Sequence, residues 1–318
     1  MSKIPVVYIT DIGFMFQTGV AAYSLYASKA PDTEYDLYLI LVDDAYEKRD
    51  FFKPLTKIFK DIHILKGSTE KYSKINQLAH ISRAGLVKFD MSDMIPEYDK
   101  ILYVDGDIII RSDLSDLYNT DLGDNIMGAV KSLDMVFDDN PMINSGVMLI
   151  NAKRFREEKY AEKMYEKRVE LGDRRSMDQE TINIVLKNKI LYLPAKYNCI
   201  PEKLVGIERK NYEISKLNEV YSTSYSSKEG MIDDAVLIHY ATGGKPWKYT
   251  YVQCGEEWYG IYKKSPFSYV KIRRLNKFQA HLKGFFRRLR KKGIKDVIKR
   301  AGELISLKIK GVKYQVWG

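Results

Sequence analysis

The stretch Ile101-Leu-Tyr-Val-Asp-Gly-Asp-Ile-Ile-Ile110 restricts the fold more than any other part of the chain. Two carboxylates, Asp105 and Asp107, stand one residue apart between apolar, strand-like runs. On a continuous strand, side chains two apart share a face. An unpaired carboxylate inside a core is very costly, so a compensating charge is required there. A divalent cation bound to a phosphorylated ligand meets that need, and hard oxygen donors of this kind suit Mg²⁺ or Mn²⁺.

The surrounding runs set the frame. Val6–Ile9 is apolar and stops at Thr10-Asp11, a helix is expected over about Phe16–Lys29, and Leu37–Val42 is a second apolar run. A helical segment around Ala45–Phe59 leads to a short strand, Ile62–Leu65. Strands alternating with helices predict an α/β fold with a Rossmann-like, mixed but mostly parallel sheet flanked by helices. In such sheets ligands sit beyond the carboxyl ends of strands, where Asp11 and Asp105 both fall. Further on, the pattern predicts a helix over Ser82–Met94 carrying Lys88, and a turn at Asn144-Ser-Gly146 entering a strand that runs to Ile150. One charged helix is expected over about Ala152–Leu171, and Ser176-Met-Asp-Gln179 is a capping-box pattern before a helix Gln179–Lys187. Ile190–Leu193 reads as a strand, residues 197–230 as irregular and polar, and Ala235–Ile238 as a buried run ending at His239.

The net charge of +10 is unevenly placed. Residues 271–318 hold 16 Lys or Arg and two acids, a net of +14, which leaves the body at −4. Within this tail Phe278, Leu282, Phe285, Phe286 and Leu289 recur at helical spacing, with Lys283, Arg287, Arg288 and Arg290 between them. Ile294, Val297, Ile298, Ala301, Leu304 and Ile305 form a second such set. Basic amphipathic helices of this kind suit an anionic membrane surface. The expected boundary is Ser265-Pro266, giving a main domain 1–265 and a tail 266–318. Nucleic acid is not an expected partner, because the body is net acidic. No run of roughly 18 apolar residues is present to span a bilayer. Without an export signal, Cys199 and Cys254 are expected to be reduced thiols of a cytoplasmic protein.

Asp105-Gly-Asp107, Asn144-Ser-Gly146, Asp178-Gln179 and His239-Tyr-Ala-Thr-Gly-Gly-Lys-Pro-Trp247 occur in that order. Together they resemble glycosyltransferase family 8, retaining GT-A-fold transferases that include bacterial lipopolysaccharide galactosyltransferases, over about residues 4–260. A lone Asp-x-Asp is a weak signal; His-Tyr-x-x-x-x-Lys-Pro-Trp at this distance makes the combination specific. The resemblance implies that Asp105, Asp107 and His239 hold Mn²⁺, with Mg²⁺ as the alternative. It places Thr10, Asp11, Lys88, Asp105, Gly106, Asp107, Asn144, Gly243, Gly244 and Lys245 on the donor, and His80 near the acceptor. Asn144, Asp178 and Gln179 would line the donor sugar as the catalytic group. For Asp11 and Asp178 a helix-capping role stands beside the binding role. Ile12 replaces a residue that is often polar in relatives, and Lys88 one that is commonly Arg, which loses a bidentate fork. The tail resembles the family's membrane-attachment segment.

The implied activity is transfer of galactose or glucose from UDP-galactose or UDP-glucose to a cell-surface glycan or lipid-linked saccharide. The protein would be cytoplasmic and peripherally attached to the inner face of the cytoplasmic membrane. A metal-dependent nucleotidyl- or phosphotransferase could use the same carboxylates, but it leaves Asn144 and Asp178-Gln179 unexplained. A nucleic-acid-binding protein acting through the basic tail predicts a basic, aromatic-rich body, which the chain lacks.

Overall fold

The computed structural model describes residues 3–75, 83–137, 140–172, 178–205, 212–287 and 289–290. The chain divides into two compact units, one of Met1–Cys199, Asp233–His239 and Ser265–Phe267, the other of Ile200–Ile232, Tyr240–Lys264 and Ser268–Gly318.

In the first unit β1 (Ile4–Thr10), α1 (Met15–Ser28), β2 (Tyr35–Val42), β3 (Asp61–Gly67), α2 (Met91–Met94), β4 (Lys100–Val104), β5 (Ile108–Ile110) and α3 (Ser115–Tyr118) follow one another. Then come β6 (Met127–Phe137), β7 (Asn140–Asn151), α4 (Ala152–Glu157), α5 (Tyr160–Leu171), α6 (Asp178–Val185), β8 (Ile190–Tyr192) and β9 (Leu237–His239). The main sheet has the order β3-β2-β1-β4-β7-β6-β8. Pairs β1–β2, β2–β3, β1–β4 and β6–β8 are parallel, and β7 runs antiparallel to both β4 and β6. Every residue of β1 and β2 is buried, as a sheet covered on both faces requires. The edge strand β3 is largely half-exposed. Pro5, which has no N–H to give, precedes the point where β4 begins to pair with β1, at Val6–Leu102. The chain steps outward from β1 to β3, then crosses back to β4 on the far side of β1. That reversal opens a crevice beyond the carboxyl ends of β1 and β4, the place where such sheets bind ligands.

Several sequence expectations change in detail. The helix expected over Ala45–Phe59 is 3₁₀ over Asp43–Lys57, with Pro54 inside it, where a missing N–H weakens α-helical bonding. Of the helix expected over Ser82–Met94, the described residues form a 3₁₀ turn, Arg83–Phe89, followed by the short α2. The charged helix is two helices, because Lys159 takes a left-handed φ of 55° between α4 and α5. Glu158 fastens that break by accepting from Arg154 at 2.7 Å, Tyr160 at 3.0 Å and Lys189 at 3.2 Å. Asn144-Ser-Gly146 is not a turn but part of β7. There the ladder slips: Ala129 faces Met148, whereas Lys131 faces Ile143, so residues 144–147 stand out of register against β6.

The second unit contains α7 (Pro201–Leu204), α8 (Ile214–Tyr221) and α9 (Lys228–Asp233), mostly within residues 197–230, where an irregular region was expected, and further on α10 (Gly255–Lys264). The first three are about two turns or fewer, too short for their apolar residues to establish a period. Trp258, fully buried, packs between Trp247 and Tyr262 at centroid distances of 5.5 and 5.7 Å. Residues 268–275 are tied to this unit: Tyr262 donates to the carbonyls of Ser268 and Val270, Leu275 bridges to Tyr249, and Arg274 pairs with Glu256 at 2.7 Å. Residues 277–287 are helical and leave Phe278, Leu282, Phe285 and Phe286 exposed. The second amphipathic set, His80, and the Ser176-Met177 part of the capping box lie outside the described residues. Among the described residues no helix is long and apolar enough to cross a membrane.

Candidate functional site

Asp105-Gly106-Asp107 forms the turn between β4 and β5, so the two carboxylates leave the sheet instead of sharing a strand face. Gly106 is needed there, since a Cβ would collide with the Thr18 hydroxyl of α1. The two-stranded β5–β9 ladder sets Ile108 opposite His239, which brings an imidazole from far along the chain beside Asp107. His239 is buried; its Nε2 lies 3.1 Å from Asp107 Oδ1 and 3.7 Å from Asp105 Oδ2. One ligand atom from each of the three falls within 4.8 Å of the others. Two carboxylates and an imidazole converging at a strand's exit form a donor set fitted to a divalent cation.

Lys88 is also buried, with Nζ 2.9 Å from Asp178 Oδ2, 3.2 Å from Asp105 Oδ1 and 4.8 Å from the centre of the Tyr103 ring. Burial works against this ammonium, yet the carboxylates of Asp105 and Asp178 hold its pKa well above the ordinary lysine value. Burial also pushes the Asp178 carboxyl up, but Lys88 and the Ser145 hydroxyl keep it below the ordinary carboxylate value. Burial, then Asp105, raises the Tyr103 phenol far above its usual range, so it stays a donor, 2.5 Å from Asp105 Oδ1. The register slip in β7 turns Asn144 and Ser145 toward the start of α6. Asn144 Nδ2 donates to Gln179 Oε1 at 3.1 Å, and the Ser145 hydroxyl donates to Asp178 at 2.9 Å. Lys88, Asn144, Asp178 and Gln179 thus converge, with Asp105 joined to them through Lys88.

Thr10 and Asp11 lie at the end of β1. The Thr10 hydroxyl donates to the Asp11 carbonyl at 3.0 Å, and Asp11 Oδ1 accepts from Gly13 N at 3.0 Å. Asp11 is therefore not the N-cap of α1, a position taken by Phe14. It lines a cavity of about 460 Å³ with Ile12, Asp43, Thr69 and Arg83. Asp43 and Arg83 carry no motif signal. Gly243, Gly244 and Lys245 lie in the second unit. There the Gly244 N–H donates to Thr242 Oγ1 at 3.2 Å, a Cβ on Gly244 would collide with the Glu202 carboxylate, and Lys245 donates to the Tyr240 carbonyl. Sequence reasoning also missed Asn198, which touches both His239 and Asn144 (2.8 Å each). Its position after Tyr197, at the end of a 3₁₀ turn, offered no periodic cue.

Residues 5–251 match the family model described as Glycosyl transferase family 8. The chain is 30% identical over 210 residues to the probable glycosyl transferase Gly of Streptococcus gordonii, covering 65% of this chain and 28% of that protein. It is 25% identical over 260 residues to a lipopolysaccharide 1,2-glucosyltransferase of Escherichia coli K12, covering 76% of this chain and 72% of the other. Thus it spans under a third of the streptococcal relative. The fold matches the crystal structure of the galactosyltransferase LgtC in complex with donor and acceptor sugar analogues, with a TM-score of 0.70, 23% identity, and coverage of 83% of this chain and 96% of that one.

Proposed function

The chain belongs to glycosyltransferase family 8, and from that premise we propose that it transfers galactose or glucose, with retention, from a UDP-sugar to a saccharide or glycolipid acceptor of the cell surface. The observation that carries this reading is the convergence of Asp105, Asp107 and His239 at the exit of β4, beside the strand whose end leads into the cavity at Asp11. Mn²⁺ at that donor set, or Mg²⁺ in its place, would neutralise the diphosphate as the sugar–oxygen bond breaks. Asp11 and the cavity around it would receive the uridine. Asn144, Asp178 and Gln179 would place oxygen acceptors around the anomeric carbon, where positive charge develops. Gln179 is an amide and a poor nucleophile, so the acceptor attacks from the front face. The bond from C1 to the phosphate oxygen breaks, its electron pair leaves with UDP, the acceptor oxygen bonds to C1, and the acceptor proton passes to the departing phosphate. His80 would support the acceptor. The likeness to a lipopolysaccharide 1,2-glucosyltransferase supports the acceptor class. The basic helix 277–287, with its exposed phenylalanines, supports peripheral attachment to the inner face of the cytoplasmic membrane.

The test is a panel of UDP-sugars with and without Mn²⁺, on the unaltered protein and Asp107→Asn. UDP release is expected from UDP-galactose or UDP-glucose only with metal, and the substitution abolishes it. Turnover that ignores metal would overturn the reading.

A further inference from the structure

The polar contacts around His239 form a directed chain whose sense is set by backbone amides. The Gly146 N–H can only donate, so the Asn144 side-chain atom 3.1 Å from it is the carbonyl oxygen. The Asn198 atom 2.8 Å from that same oxygen must then be its NH₂. This turns the Asn198 carbonyl oxygen toward His239 Nδ1, also 2.8 Å away, and Nδ1 must carry the proton. In the neutral ring the lone pair of His239 is thereby left on Nε2, the atom that faces Asp105 and Asp107. At the other end, the Asn144 NH₂ donates to Gln179 Oε1, which also receives the Ser145 N–H at 3.4 Å. Asn198 is buried and holds the middle of the chain.

We propose that Asn198 is a positioning residue that locks His239 in the tautomer a metal ligand requires and, through Asn144, fixes the carbonyl of Gln179 at the sugar site. Metal ligation and the orientation of the sugar-site amide are then set by one side chain. The physical basis is that partners on the non-ligating nitrogen of a metal-bound histidine fix its tautomer and ring angle. The inference rests on the metal-dependent transferase reading above.

Two substitutions separate the ends of the chain. Asn198→Asp keeps an acceptor for His239 Nδ1 but offers no donor to Asn144, whereas Asn198→Ala removes both. Mn²⁺ affinity, read by electron paramagnetic resonance titration without any sugar, is expected to fall about 10–100-fold in Asn198→Ala and to stay within about threefold in Asn198→Asp. Metal-saturated UDP release is expected to fall about 100-fold in both, because the amide at the anomeric carbon loses its alignment. Ring-nitrogen NMR of the unaltered protein is expected to show His239 protonated at Nδ1. A neutral ring protonated at Nε2 in place of Nδ1 would overturn the proposal without recourse to any variant. Equal losses of metal affinity in both variants, or unchanged metal affinity and turnover in Asn198→Ala, would overturn it alone. An unaltered protein that binds no Mn²⁺ would overturn it together with the transferase reading.

Discussion

Lys88 is the side chain on which the site's charge balance turns. Its ammonium lies between Asp178 at 2.9 Å and Asp105 at 3.2 Å, in a place almost closed to water. Removing one partner of a buried ion pair leaves a charge uncompensated and costs about 3–5 kcal/mol. Lys88→Met, close in shape but uncharged, is therefore expected to lower unfolding free energy by about that amount at neutral pH. The pH dependence has a definite sign. In the unaltered protein the Asp178 carboxyl is held below its ordinary value, so its contribution persists above the ordinary carboxylate range and is lost only as pH falls through the depressed value. In Lys88→Met that cause disappears while burial remains, so Asp178 takes up its proton at higher pH. The stability gap between the two proteins should narrow as pH falls from neutrality into the carboxylate range, and urea melts across that range would show it. A gap constant with pH would mean that packing, and not charge, is what Lys88 supplies. A donor-side role for Lys88 is an expectation that came from the family resemblance alone. That it pairs with Asp178, 90 residues later, could not be read from the sequence, because the 3₁₀ turn Arg83–Phe89 that turns it inward breaks the helical period expected there.

At the level of elements, the site depends on two departures from regular structure that local patterning reads poorly. The apolar runs on either side of Asp105 and Asp107 announced themselves as strands, but the two runs belong to different sheets, and only pairing of β5 with β9 brings His239 to the carboxylates. Strand pairing is a tertiary fact, so the sequence showed His239 at the end of a buried run without showing what faced it. The second departure is the slip in β7. Asn-Ser-Gly is turn-like in composition, and here those residues serve a bulge that re-aims side chains, as bulges beside functional sites do. Gly146 has a steric reason to be glycine: a Cβ would stand 2.8 Å from His239 Nδ1 and closer still to the neighbouring ring carbon. Gly146→Ala is expected to push the imidazole off its place, costing about 1–3 kcal/mol of stability as overpacking does, with a loss of Mn²⁺ affinity that calorimetry would read. The same change at Gly260, whose Cβ would meet nothing within 4 Å, is the control; equal effects at both positions would refute the steric argument.

For the molecule as a whole, segregation of charge is the feature most open to counting, since sixteen bases and two acids in the last 48 residues need no structure to be seen. Where the basic tail separates from the folded body is a different matter, because it depends on contacts. A boundary at Ser265-Pro266 follows the composition, but Phe267 is fully buried against Phe51 and Phe52 and crowds Gly19, where a Cβ would meet its ring at 2.7 Å. Residues 268–275 are bonded into the second unit through Tyr249, Glu256 and Tyr262. Truncation after Pro266 removes a buried aromatic worth about 3–5 kcal/mol along with those bonds, and is expected to lower the melting temperature sharply. Truncation after Asn276 removes only the basic segment 277–318, and should leave melting and UDP release near those of the full chain. It should abolish sedimentation with anionic vesicles, to which each basic residue near the surface contributes about 1 kcal/mol. Neutral vesicles, or anionic vesicles at roughly 1 M salt, where charges are screened within about 3 Å, should weaken binding of the full chain. Binding that survives both conditions would assign attachment to the four exposed apolar side chains (Phe278, Leu282, Phe285 and Phe286) rather than to the basic charge beside them.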